Sequence, residues 1–86
     1  MVNKRIPNKV VFPFGYVIKV EQVSPQHKDL YTESGYMDGI WDPSRQLISI
    51  NKSLPAKRRR RILYHELEHA LNDAAHYFID EKIIGD

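Results

Sequence analysis

Residues 61–73 read Arg-Ile-Leu-Tyr-His-Glu-Leu-Glu-His-Ala-Leu-Asn-Asp, and within them His65, Glu66 and His69 form the pattern His-Glu-x-x-His. On an α-helix, positions i and i+4 stand one above the other, about 5–6 Å apart at Cβ, so both imidazoles can address one ion. Zinc takes nitrogen ligands at about 2.0–2.1 Å, and two stacked histidines on a rigid helix meet that distance without strain. A carboxylate beside the pair can hold a water on the metal and accept its proton, as zinc hydrolases do near neutral pH. The pentapeptide is palindromic, so it also matches the inverted His-x-x-Glu-His motif. Glu66 and Glu68 flank the histidines at similar angles on opposite sides, and helix geometry alone leaves the base open between them.

The helix has to present that pair while resting on something. At about 100° per residue, Leu63, Leu67, Ala70, Leu71 and Ala74 gather on one side and His65 and His69 fall on the other. One face is thus expected on a core and the other at a cleft. Ser53 is the expected N-cap and Pro55 suits a first helical turn, giving a helix from about Leu54 to 72–75. A second, short helical segment is expected over Tyr77–Ile84, where Phe78, Ile79, Ile83 and Ile84 supply apolar positions.

Upstream, residues 1–9 are polar and read as a loose lead-in, followed by the short apolar run Val10-Val11-Phe12. Tyr16–Val23 alternates with Tyr16, Ile18 and Val20 on one face, the pattern of a half-buried strand. Gln26–Ser34 is polar and turn-rich, and His27, alone within it, is expected to be solvated rather than a ligand. Asp42-Pro43-Ser44-Arg45 has the residues of a type I turn, so Tyr36–Trp41 and Gln46–Asn51 should form an antiparallel pair. Trp41, Tyr64 and Tyr77 are expected to serve packing. The fold class that results is α+β, with a small antiparallel sheet packed on the motif-bearing helix and a short helical segment at the C-terminal end.

The 86 residues make one domain, residues 1–86, whose core is small enough that a bound metal would add useful stability. The absence of cysteine removes disulfides, thiolate metal sites and cysteine nucleophiles. No signal-like apolar stretch follows the charged N-terminus and no window approaches a membrane span, so a cytoplasmic protein with no membrane partner is expected. Net charge is +2, and much of the basic excess lies in Lys57–Arg61. On a helix this run fans around the axis, with no aromatic residues interleaved, which favours a solvated helix start over a nucleic-acid surface. Cations at a helix N-terminus oppose the dipole slightly, and that keeps nucleic acid as a lesser reading.

The order of strand, strand pair and motif helix resembles the zincin metallopeptidases. More narrowly, it is similar to the small bacterial and phage proteins related to the ImmA/IrrE peptidases. The resemblance runs over about residues 35–75, through Asp42-Pro43, Gln46, Ile48, Ile50, Leu54, Arg60 and Leu63 into His65-Glu66-Leu67-Glu68-His69. It implies a zincin-like fold in which His65 and His69 bind zinc, Glu66 rather than Glu68 activates water, and an extended peptide adds to an edge strand within Tyr36–Asn51. Metzincins need Gly at position 72 and His at position 75, where this chain has Asn72 and Ala75, with His76 one place late. A third ligand is sought instead at Glu81, which could return on the terminal segment as the glutamate of gluzincins does, then at His76, then at Asp73. An unbroken helix sets the Cα of Asp73 about 12 Å from that of His65, which suits it better to orienting an imidazole. His76 has a plainer role open to it, capping the helix end.

Three functions follow in order. The first is a zinc-dependent metallopeptidase, a hydrolase of peptide or protein substrates. The second is a zincin-like module that binds metal and regulates without catalysis. The third is a nucleic-acid binder using residues 57–61.

Overall fold

A computed structural model describes residues 5–13 and 15–79, the last three by backbone alone. Among the described residues, six strands and one long helix follow one another: β1 Lys9–Val11, β2 Val17–Val23, β3 Tyr31–Thr32, β4 Gly35–Tyr36, β5 Gly39–Asp42, β6 Leu47–Asn51 and α1 Ala56–Ile79. A single 3-10 turn, Lys28–Leu30, stands between β2 and β3. The architecture is a small α+β arrangement, a four-stranded mixed sheet with one helix after it in the chain.

Sheet order is β1-β2-β6-β5. The expected antiparallel sheet is therefore corrected to a mixed one. β1 and β5 pair antiparallel with their neighbours, but the central pair, β2 with β6, is parallel, from Lys19 opposite Leu47 to Val23 opposite Asn51. Both α1 and the 3-10 turn pack against β6. All five residues of β6 are accordingly buried, with Ile48 and Ile50 toward one side and Leu47, Ser49 and Asn51 toward the other.

The main core joins Ile18 and Val20 of β2, Ile48 and Ile50 of β6, and Leu63 and Ala70 of α1. Ile6, Val10, Phe12, Tyr16, Trp41, Ile62 and Leu67 pack around it. Each fully buried aliphatic side chain of this kind contributes about 1.5–3 kcal/mol relative to exposure. Residues 5–9 are thus no loose lead-in: Ile6 reaches the core, and Asn8 accepts a main-chain bond from Val20 at 2.9 Å before β1 begins. The 3-10 turn packs against β6, and its Leu30 is fully buried inside a segment that reads as polar loop.

The hairpin β5–β6 forms as the Asp-Pro turn requires, with Gly39 opposite Ile50 and Asp42 opposite Leu47. It is shorter than expected. Tyr36 belongs instead to a separate two-stranded ribbon, β3–β4, opposite Tyr31. At the turn, Gln46 adopts a left-handed conformation (φ 49°) and is tied to β2 on both counts: its carbonyl accepts from Lys19 N–H, and its side chain donates to the Val17 carbonyl.

Helix α1 starts later and ends later than expected. The Pro55 carbonyl accepts from Arg59 N–H at 2.9 Å, which puts Pro55 at the cap position, while the Ser53 N–H is turned back to Asn51 Oδ1. Tyr77–Ile79 continue the same helix rather than opening a second one, and the remainder of the expected terminal segment lies outside the described residues. Leu71, expected on the buried face, is 46% exposed. The inward stripe runs Leu63, Glu66, Ala70 and Ala74, with Leu67 partly covered.

Candidate metal centre and its cleft

Two successive turns of α1 carry the histidines, and their rings converge. The Nε2 atoms of His65 and His69 are 3.3 Å apart, with ring centroids at 4.8 Å and planes at 89°. Two nitrogens each about 2.0–2.1 Å from a tetrahedral ion are about 3.3–3.4 Å from one another, so this spacing fits one zinc. The same separation suits an N–H···N hydrogen bond between neutral rings, with the tautomer setting which ring donates. Both side chains are exposed, so neither is spent on packing.

Glu66 differs from Glu68 in every respect that matters here. Glu66 is buried, at 9% exposure, and lines the same cleft as the two histidines, whereas Glu68 is exposed and outside that lining. Trp41 shares that lining with Glu66. Burial pushes the Glu66 carboxyl up from its ordinary value, and His69 and His65 pull against that. The palindrome is thereby resolved in space: one glutamate faces the cleft and the other faces water.

The cleft is about 410 Å³ in volume, bounded by the helix on one side and by β5 and the ribbon on the other. Thr32, Met37, Ile40 and Trp41 face His65, Glu66, His69 and Asp73 across it. β5 lies at the sheet edge. Since the Asp38 carbonyl accepts from Asn51 N–H, strand alternation turns the main-chain groups of Gly39 and Trp41 away from β6, toward the cleft. The close approach of this edge to α1 depends on Gly39, where a Cβ would stand 2.3 Å from Ile62 Cγ2 and 3.7 Å from Glu66 Cγ.

Of the candidate third ligands, Asp73 and His76 are not brought to the pair. Asp73 lines the cleft, but its Oδ2 accepts the Trp41 indole Nε1–H at 2.7 Å. It thus holds a tryptophan, where an imidazole was expected. His76 is exposed on the helix's last turns and is not part of the cleft lining. Glu81 lies outside the described residues. Among the described residues no group of three His, Cys, Asp or Glu side chains is arranged to hold a metal.

Elsewhere, His27 uses Nδ1 to accept the Asp29 N–H at 3.1 Å, capping the 3-10 turn. Tyr64 does not pack; it is 65% exposed. Two members of the basic run are engaged locally. Arg58 pairs with Asp38 at 3.0 Å, and Arg59 donates to the Leu54 carbonyl at 2.9 Å and to Gln22. No helix among the described residues is long and apolar enough to cross a membrane. The roles of Thr32 and Met37 in the cleft, and the pairing of Trp41 with Asp73 across 32 positions, have no signature in local spacing.

Comparison with protein-family models, curated proteins and solved structures finds no match for this chain.

Proposed function

We propose that the chain is a zincin-like, zinc-dependent peptidase that hydrolyses peptide bonds in an extended substrate laid along β5. The observation that carries this reading is the 3.3 Å convergence of the two Nε2 atoms beside a buried glutamate that opens on the same cleft. His65 and His69 would hold the metal. When bound, zinc supplies Lewis acidity to a water and to the scissile carbonyl.

The chain's own groups account for the rest. Glu66 accepts a proton from the attacking water and returns it to the departing amine, so water and amide become carboxylate and amine. Its raised pKa suits a group that must both take and give that proton. The outward main-chain groups of Gly39 and Trp41 suit strand addition, which would hold the substrate extended and present successive side chains to alternate sides. Met37 and Ile40 give one wall of the cleft an apolar surface. The cysteine-free composition fits a reducing compartment, and the cytoplasm is the site of action this reading adopts.

A second reading, a metal-binding module without catalysis, is favoured by one observation. Glu66 is buried against β5, its Cγ 3.7 Å from where a Cβ on Gly39 would stand, and a packing contact of this kind needs no catalysis. Zinc content and peptide cleavage separate the two. The peptidase reading expects about one zinc per chain and cleavage of a mixed peptide pool that ceases in Glu66→Gln while zinc is retained. Zinc retention with no cleavage by the parent protein would select the second reading, and no zinc at all would remove both.

A further inference from the structure

Across the cleft from the histidines, three side chains have no hydrogen bond left to give. The Trp41 indole N–H, a donor only, goes to Asp73 Oδ2 at 2.7 Å. The Thr32 hydroxyl donates to the Gly35 carbonyl at 3.0 Å and accepts the Ser34 N–H at 3.1 Å, so the ribbon's own turn consumes it. Met37 carries only a thioether, a weak acceptor, and is 40% exposed. The helix side is the reverse: both imidazoles, the Glu66 carboxylate and the Asn72 amide line the same space. One wall can do chemistry; the other offers apolar contact.

The ribbon also has a definite place beside a strand added at β5. The Met37 N–H donates to the Leu30 carbonyl at 2.8 Å, and the Tyr36 hydroxyl accepts from Asn51 Nδ2 at 2.7 Å. Asn51 points to the sheet face opposite that of Ile48 and Ile50, which meet α1. The ribbon is thus tied to the second face, while Thr32 and Met37 reach the cleft. Successive side chains of an added strand turn to opposite faces. Alternate residues would meet the helix, and those between would meet Thr32 and Met37.

We propose that the ribbon selects the substrate: the residue turned toward Thr32 and Met37 is a large apolar one, of the leucine, methionine or phenylalanine class. The consequence for cleavage rests on the peptidase reading, whereas the recognition itself needs no metal. A polar side chain placed there would give up its bonds to water and find no partner. Met37 is unbranched and polarizable, so it adapts to several apolar shapes, which selects a class and not a single residue.

Trp41 is the chain's one tryptophan and lines the cleft, so its fluorescence reports occupancy without cleavage. The probes are short serine- and threonine-rich peptides carrying one leucine, moved a position at a time, and the same peptide with none. In metal-free protein, the leucine peptides should bind about tenfold more tightly than the leucine-free one. In zinc-loaded protein, the cleaved bond should move along the peptide with the leucine, at a fixed distance from it. Met37→Gln should reduce the preference to about twofold, and Met37→Leu should keep it. Thr32→Ser, which removes a methyl and retains the hydroxyl, should reduce it about threefold. Leu71→Ser, at an exposed apolar position outside the cleft lining, should leave it unchanged.

Affinities for the leucine and leucine-free peptides within about twofold of each other would overturn the inference. So would a leucine preference that survives both Met37→Gln and Thr32→Ser. Cleavage at bonds unrelated to the leucine would overturn it while leaving the peptidase reading intact. A leucine preference in binding, with no cleavage by zinc-loaded protein, would sink the peptidase reading and sustain the recognition.

Discussion

Helix α1 carries two clusters of charged and ionisable residues, and they are built in opposite ways. In its first turns, Lys57–Arg61 fan around the axis, and two of them are turned to separate structural partners: Arg58 to Asp38, Arg59 to Leu54 and Gln22. Further along the helix, His65, Glu66, His69 and Asp73 line one cleft, and the two imidazoles nearly touch. Divergent charges each satisfy a local need. Convergent ones that remain open to a cleft are poised for a shared ligand. The lesson is that charge density alone ranks the basic run first, whereas direction and burial rank the histidine turn first.

The same contrast appears within the motif, and the largest expected effect comes from breaking it. Glu66→Gln should lower peptide turnover by about 10²–10⁴-fold, the usual range for removing a general base. Glu68→Gln, on the exposed side, should leave turnover within about twofold of the parent, since exposed substitutions rarely matter. Equal losses in the two variants, measured on one peptide at saturating zinc, would erase the distinction between the glutamates.

Next in size is the strand that faces the motif. Gly39→Ala sets a methyl group against Ile62 Cγ2. Forcing Ile62 or β5 aside should cost about 1–3 kcal/mol in urea-denaturation stability, as overpacked sites do. A neutral result would mean that β5 and α1 approach each other with slack, and that the cleft is not fixed by this contact.

The basic end of the helix should respond least. The Arg58–Asp38 pair is half exposed, with side chains 53% and 31% accessible, so Arg58→Ala should cost no more than about 1 kcal/mol and less in high salt. At the hairpin turn, hydrogen bonds from the Ser44 hydroxyl and from Arg45 hold the Asp42 carboxyl down at about 2, below its ordinary 3.8. A depressed carboxyl stabilises the fold above its unfolded pKa, and that contribution is lost as pH falls through the folded value. Stability of the parent should therefore decline between about pH 4 and pH 2 more than that of Asp42→Asn, by a small margin because the group is exposed. Identical pH profiles for the two proteins in denaturation would show that these turn bonds are not retained in solution.

Much of this arrangement is legible in the sequence. The i, i+4 histidines and the apolar stripe through Leu63, Ala70 and Ala74 mark a helix with two jobs, and Asp42-Pro43 marks the hairpin beside it. What stays hidden does so for physical reasons. Alternation in Val17–Val23 tells which side chains face inward, but it cannot tell that the neighbouring strand is β6 and runs parallel. Leu30 is a lone apolar residue in polar surroundings, and only the 3-10 turn swings it under the sheet. Glu66 sits on the buried stripe despite its charge, because the cleft and its two histidines open beside it. The Trp41–Asp73 bond joins elements 32 residues apart, beyond the reach of any periodicity. By angle Leu71 belongs with the buried face, yet it lies at the margin of that stripe and is left half in water.

One measurement bears most directly on the claim that the two imidazoles share an ion. Zinc titration of metal-free protein, followed by histidine ring nitrogen signals in NMR, should give about one site per chain. The Nε2 resonances of His65 and His69 should shift together while those of His27 and His76 do not, and His65→Ala should abolish the site. Zinc that binds without moving those two rings, or that binds equally well to His65→Ala, would contradict it.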